Sequence, residues 1–202
     1  MYALDIDTLF IEIPRTGMRS LERALQGFSR VSHVGHYTTQ RFLKDVKKPP
    51  SKYVAVVRNP IDRLLSAINF SCRNKNHVDQ AFSKLLKEGY STEIIAPTCF
   101  EDLEYVYAPQ TAYLDANVDY KLHRFDDMNA FYTSCGINKT PPHDNKSSKQ
   151  FDMDYLKTHP LFEDVMQVYQ ADVELYNKLT PSHKGETNNG SNNNMESQRH
   201  GS

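Results

Sequence analysis

Residues 8–21 constrain the fold of this chain more than any other stretch. Leu9 to Ile13 form a short apolar run rich in β-formers, and Pro14 stops it, because proline cannot donate to a strand ladder. Thr16 and Gly17 follow. From Arg19 onward Leu21, Ala24, Leu25 and Phe28 recur at i, i+3, i+4 and i+7, the spacing of one helical face. The stretch therefore reads as strand, tight loop and helix, with Arg15, Thr16, Arg19 and Ser20 supplying cationic and hydroxyl donors. Such a turn aims unpaired backbone N–H groups and a helix dipole at one point, which favours an anion. It is not a Walker A loop, which needs a second glycine followed by Lys and Ser or Thr. An ordinary β–α turn with incidental basic residues is the alternative.

A second stretch repeats the pattern. Residues 52–58, Lys-Tyr-Val-Ala-Val-Val-Arg, have the near-continuous apolar centre of a buried parallel strand. Asn59 and Pro60 then open a helix as N-cap and first helical residue, with Ile61, Leu64, Leu65 and Ile68 on its buried face. Arg58 leaves the strand end, and Ser66 lies on the helix roughly 9 Å along its axis from Pro60 at about 1.5 Å per residue. A phosphate lodged between them takes a charge-assisted fork from Arg58 and a hydroxyl bond from Ser66. Asp62 and Arg63 read as further residues of this site or, equally well, as a charge at a helix start and a surface cation.

Elsewhere the pattern keeps alternating. Residues 30–34 suit a short strand, 38–46 a short helix, 77–88 an amphipathic helix stopped by Gly89, and 119–125 a strand followed by a helix over 127–135. A short helix fits 100–106, a polar loop 138–150, and one continuous closing helix the apolar face from Phe162 to Tyr176. The fold class expected is α/β, a mostly parallel central sheet flanked by helices, with ligands at the carboxyl ends of the strands. A single domain over 1–180 fits the length, and 181–202, almost devoid of apolar residues, reads as a disordered polar tail.

Composition excludes several classes. The formal net charge of −1 gives no argument for nucleic acid or an anionic membrane. No apolar run approaches the roughly 18–20 residues that span a bilayer, and the first residues lack the pattern of a signal peptide. Cys72, Cys99 and Cys135 are too few and scattered for a disulfide framework or zinc motif, and the histidines lack metal-binding spacing, so no metal is expected. A cytoplasmic protein without membrane or nucleic-acid partners is the expectation.

The two stretches together resemble the donor-binding motifs of sulfotransferases. Pro14-Arg15-Thr16-Gly17-Met18-Arg19-Ser20-Leu21 resembles the family's 5′-phosphosulfate loop, Pro-Lys-Thr-Gly-x-Ser/Thr-Ser/Thr-Leu/Phe, with Arg15 in place of the usual Lys and Arg19 in place of a small polar residue. Arg58-Asn59-Pro60-x-x-Arg63-x-x-Ser66 resembles its 3′-phosphate motif and follows in the expected order. Fainter likenesses are Gln110-Thr111-Ala112-Tyr113-Leu114, Arg124-Phe125-Asp126-Asp127-Met128, Asn145-Lys146-Ser147 and Tyr169-x-x-Asp172-x-x-x-Tyr176, the last two resembling the carbohydrate-type branch of heparan and chondroitin sulfotransferases.

The resemblance implies a sulfotransferase fold related to P-loop kinases. It also implies a donor, 3′-phosphoadenosine 5′-phosphosulfate (PAPS), with 3′-phosphoadenosine 5′-phosphate (PAP) as product. Arg15, Thr16, Gly17, Met18, Arg19, Ser20 and Leu21 would hold the 5′ end, Arg58 and Ser66 the 3′-phosphate, and Lys146 and Ser147 would close over the nucleotide unless they belong to a solvated loop. Sulfuryl transfer, like phosphoryl transfer, needs positioning and charge stabilisation above all. Arg15 is the candidate cation at the bridging oxygen. The candidate base is a histidine, whose free pKa lies near 6.5. The carbohydrate-type branch keeps one between the donor motifs, commonly after Gly, which favours His36 after Gly35 over His33, with Glu12 and Glu22 as fallbacks. The acceptor is a hydroxyl compound, a glycan or small molecule. Tyr105, Tyr107 and Tyr113 stand as sugar platforms or, more conventionally, as core or rim. A kinase-like or lapsed nucleotide-binding protein on the same scaffold, and a glycan-binding module, are the competing readings.

Overall fold

A computed structural model describes residues 1–25, 31–32, 36–92, 104–137 and 150–179. Phe28, His33, Gly35, Cys99, residues 100–103 of the expected short helix, the 138–149 part of the polar loop with Asn145, Lys146 and Ser147, and the tail beyond residue 180 lie outside the described residues.

Among the described residues the sheet has five strands in the order β3-β1-β2-β4-β5, where β1 is Tyr2–Ala3, β2 Thr8–Ile11, β3 Val31–Ser32, β4 Lys52–Val57 and β5 Tyr120–Arg124. β2, β4 and β5 run parallel, with Phe10 opposite Val54 and Ala55 opposite Leu122. β1 pairs antiparallel with both β2 and β3, so the sheet is mixed, and parallel only in the half that the longer apolar runs build. β1 is two residues long, too short to carry an alternation legible in sequence.

Helices cover both faces. β2 is buried at every position, and its successive side chains part to opposite sides. Phe10, with Val54 and Val56 of β4, packs on Met18 and Leu21 of α1 (Met18–Ala24) and Phe131 of α6 (Met128–Ser134). Leu9 and Ile11, with Ala55, pack on Phe42 of α2 (Thr39–Asp45) and on Ala108 and Tyr113. A third apolar cluster joins α3 (Pro60–Ser71) and α4 (Lys75–Glu88) to α5 (Glu104–Tyr107), α7 (Met153–Lys157) and α8 (Phe162–Val168).

The closing helix expected as one piece is two, α8 and α9 (Gln170–Lys178). Tyr169 separates them at φ −97°, ψ 12°; its N–H turns to the carbonyl three residues back, and its hydroxyl donates to Tyr107 O at 2.6 Å. The buried phenol's need for a partner thus coincides with a one-residue unwinding that leaves the apolar face continuous. Among the described residues no helix is long and apolar enough to cross a membrane.

Candidate functional site

Because β2, β4 and β5 are parallel, their carboxyl ends gather at one rim, the usual ligand edge of such sheets. The chain leaves β2 through Glu12, Ile13 and Pro14 into a turn closed by Thr16, whose buried hydroxyl donates to Ile13 O at 2.8 Å. Two residues of this turn have left-handed backbone, Arg15 at φ 68° and Gly17 at φ 81°. Gly17 is required twice over. A Cβ there would lie 2.8 Å from Phe125 Cε2, in addition to the backbone strain. Arg15 has no such exemption, and a non-glycine residue held in this region costs about 1–2 kcal/mol. Strain of this kind collects where a side chain must be aimed.

The aim of Arg15 is clear. Its Nε donates to Ser66 Oγ at 3.1 Å, and its guanidinium lies 4.5 Å from the centre of the Phe70 ring. Arg58, leaving β4, donates from Nη1 to Arg15 O at 3.3 Å and rests 4.7 Å over the ring of Phe125, which follows β5. Burial pulls the pKa of Arg15 below its ordinary value, and the charges of Arg58 and Arg19 pull the same way. Burial does the same to Arg58, opposed by Asp62 and assisted by Arg63. Both remain cationic at neutral pH. Among the described residues neither forms a salt bridge with a carboxylate. The rim therefore holds half-buried positive charges crowded together, the electrostatic condition for binding an anion.

The backbone of Arg58 is fixed as firmly as its side chain. Gln110, fully buried, accepts from Arg58 N at 2.8 Å and donates to Arg58 O at 2.9 Å, so one side-chain amide satisfies both polar groups of the peptide. Gln110 is held in turn by Asp172 of α9, whose buried carboxylate accepts from Gln110 N (2.7 Å), Thr111 N (2.9 Å) and Thr111 Oγ1 (2.9 Å). The Gln-Thr and Tyr-x-x-Asp echoes are two ends of one support. Asn59 caps α3 by accepting from Ile61 N and Asp62 N, as its position before Pro60 indicated.

Arg63, open in the sequence between surface cation and site residue, is neither exposed nor at the rim. It is 1% exposed, and its guanidinium donates to Pro14 O (3.5 Å), Val106 O (3.2 Å) and Ala108 O (2.6 Å). Carbonyls rather than a carboxylate receive this buried charge, which ties the 14–17 turn to the segment after α5. Nothing in the one-dimensional spacing distinguishes it from Arg19, which is exposed.

The remaining candidates divide. Met18 and Leu21 turn their side chains into the core beneath α1, so only their backbones face the turn. Ser20 is half-buried on the same short helix. His36 sits near the end of β2, where its Nδ1 lies 2.5 Å from Glu12 O and its ring 5.5 Å from that of Tyr105 at an interplanar angle of 31°. A carbonyl can only accept, so Nδ1 carries the proton in this contact and Nε2 presents a lone pair in the neutral ring. Glu12 directs its carboxylate at the Met1 ammonium, 2.7 Å away, and Glu22 lies exposed on α1. Tyr107 and Tyr113 are core residues and Tyr105 is half-buried, which leaves one of the three aromatics at the site. Among the described residues no cluster of His, Cys, Asp and Glu is arranged to hold a metal ion.

The sequence model of the sulfotransferase domain matches residues 10–129, more than half of the chain and the span that carries both cationic turns, His36, Tyr105 and Gln110. No curated protein and no solved structure matches. A transferase of sulfuryl groups accounts for the crowded guanidiniums of the rim, and on the family match this chain belongs to the sulfotransferase domain family.

Proposed function

We propose that the chain transfers a sulfuryl group from PAPS to a hydroxyl of a carbohydrate acceptor. The observation that carries this reading is the meeting of the two cationic turns, Arg15 on Ser66 and Arg58 on the Arg15 carbonyl, at one sheet rim with no carboxylate in a salt bridge to either among the described residues. A nucleotide with anionic groups at both its 5′ and 3′ positions fits two such turns. The Pro14–Ser20 turn takes the 5′ end, and Arg58 and Ser66 take the 3′-phosphate.

The bound donor supplies the sulfuryl group, whose bond to the bridging oxygen breaks as a bond from sulfur to the acceptor oxygen forms. Arg15 then steadies the negative charge gathering on the bridging oxygen, a role in which a preorganised cation acts on the transition state more than on the ground state. Its hydrogen bond to Ser66 and its contact with Phe70 fix where the guanidinium stands before the donor arrives. His36 takes the acceptor's proton on Nε2, with the imidazolium that results held through Nδ1–H on Glu12 O.

The test is transfer of labelled sulfuryl from PAPS to a panel of sugar and non-sugar alcohols, beside thermal shifts with PAP and ATP. Saturating PAP at a hundred times its Kd stabilises by about 2.7 kcal/mol. Transfer to a sugar hydroxyl together with a PAP shift supports the reading. A larger shift with ATP than with PAP points to a kinase-like protein instead.

A further inference from the structure

Four consecutive backbone carbonyls, those of Tyr105, Val106, Tyr107 and Ala108, are each held by a buried side chain from elsewhere in the chain. Tyr113 Oη donates to Tyr105 O (2.7 Å), Arg63 Nη1 to Val106 O (3.2 Å), Tyr169 Oη to Tyr107 O (2.6 Å) and Arg63 Nη2 to Ala108 O (2.6 Å). Just beyond, the amides of Gln110 and Thr111 donate to Asp172. The segment is thus gripped through its carbonyls by phenols and a cation, and through its amides by an anion. A one-turn helix such as α5 has little stability of its own, and its final carbonyls have no partner within it. The buried frame supplies both.

What this frame presents to the rim is a single side chain. Val106, Tyr107 and Ala108 are buried, whereas Tyr105 is half-buried and its ring lies against His36. Burial raises the Tyr105 phenol above its ordinary pKa, and the Arg15 guanidinium opposes that rise, so Tyr105 feels both members of the proposed catalytic pair. Among the described residues the imidazole has one hydrogen bond, through Nδ1, about which it can still swing. A contact on its face removes this freedom and sets where Nε2 points.

We infer that Tyr105 is a positioning residue, which holds the His36 ring at the angle that turns Nε2 toward the acceptor hydroxyl, and that the Arg63–Tyr113–Tyr169–Asp172 frame exists to keep Tyr105 in place. The inference rests on the reading of His36 as the base. The ring does the work, so Tyr105→Phe should recover most of the turnover that Tyr105→Ala loses.

The experiment compares Tyr105→Ala, Tyr105→Leu and Tyr105→Phe in the full chain by kcat, donor KM, PAP affinity and the NMR signals of the His36 ring. The expected result is a loss in kcat on the order of tenfold to a hundredfold for Ala and Leu. Donor KM and PAP affinity should stay near wild type, the His36 ring signals should move, and Phe should behave close to wild type. Unchanged His36 signals in Tyr105→Ala overturn the inference, as does a loss in PAP affinity as large as the loss in kcat, or a loss in Tyr105→Phe equal to that in Tyr105→Ala. Leu covers the case in which Ala lowers stability. Failure of the wild type to bind PAP would defeat the functional reading instead, while the His36 signals would still report whether Tyr105 sets the ring.

Discussion

Arg15 and Ser66, 51 residues apart in the chain, meet through a 3.1 Å hydrogen bond from Nε to Oγ. One residue belongs to the turn after β2 and the other to the helix after β4. The bond makes the two halves of the proposed donor site a single unit, and it orients a cation whose backbone is itself held in the left-handed region.

Arg15→Ala should therefore lower turnover far more than donor affinity. Removing one preorganised donor to a developing charge costs about a hundredfold to a thousandfold in kcat. PAP affinity, measured by calorimetry, should fall by much less. Arg15→Lys should keep a substantial part of the turnover, since charge is retained although the hydrogen bond from Nε to Ser66 Oγ is not. Equal losses in kcat and affinity for Arg15→Ala would remove Arg15 from the transition state.

Gly17→Ala should destabilise the fold and the donor site together. The alanine would carry about 1–2 kcal/mol of backbone strain, besides its contact with Phe125 at 2.8 Å. Combining it with Phe125→Leu should relieve the contact and leave the strain, so urea denaturation of the double variant should show partial recovery. Complete recovery would mean that the φ of 81° is not required.

Arg63→Met keeps the length of the side chain and removes its donors. The carbonyls of Pro14, Val106 and Ala108 would then lack that partner in a buried setting. Each buried acceptor left unsatisfied costs about 1–3 kcal/mol, in part offset because no charge is buried. Urea unfolding should show a net loss of about 2–3 kcal/mol, with PAP affinity falling because the Pro14–Arg15 turn loses an anchor. Unchanged stability would show that the carbonyls find other partners.

The junction between β5 and α9 should loosen in acid. The Arg124 guanidinium, by its hydrogen bonds, holds the Asp126 carboxyl below the usual carboxylate range, while Arg124 also reaches Tyr176 Oη and Leu179 O. A depressed carboxylate contributes stability that is present above its unfolded pKa, about 3.9, and is lost as pH falls through the lower folded value. The pair is exposed, so the effect is small and local. Protection of the α9 amides, taken relative to their intrinsic exchange at each pH, should fall below about pH 4 in the wild type, and Asp126→Asn should lack that acid dependence. The same dependence in both proteins would assign it elsewhere.

The cationic rim was legible in the sequence because its signals are local. Pro14 ends a strand, Gly17 permits a turn, Asn59 and Pro60 start a helix, and each acts within a few residues of itself. The parallel pairing of β2, β4 and β5 then brings the two turns to one edge. The supports of that rim were legible only as family likenesses, Gln110-Thr111 and Tyr169-x-x-Asp172, and not as a structure. Arg63 stayed open between site residue and surface cation, because what buries it and Asp172 is the packing of α3, α9 and the 105–111 segment, which share no local pattern. The break at Tyr169 was hidden for the same reason: the apolar face runs through it unbroken, and the hydroxyl that coincides with it bonds a carbonyl 62 residues away. β3 falls within the strand expected over 30–34, whereas β1 and the antiparallel pairing were missed because a two-residue strand carries no alternation.

The central claim is that the Arg58 turn reads a 3′-phosphate while the Pro14–Ser20 turn reads the 5′ end of the same nucleotide. Calorimetric titration of the wild type and Arg58→Ala with PAP and with adenosine 5′-monophosphate tests it most directly. The account predicts that the wild type binds PAP at least tenfold more tightly, a difference of about 1.4 kcal/mol, and that Arg58→Ala abolishes the preference while leaving the monophosphate affinity nearly unchanged. Equal affinity of the wild type for the two nucleotides, or a preference that survives in Arg58→Ala, would contradict it.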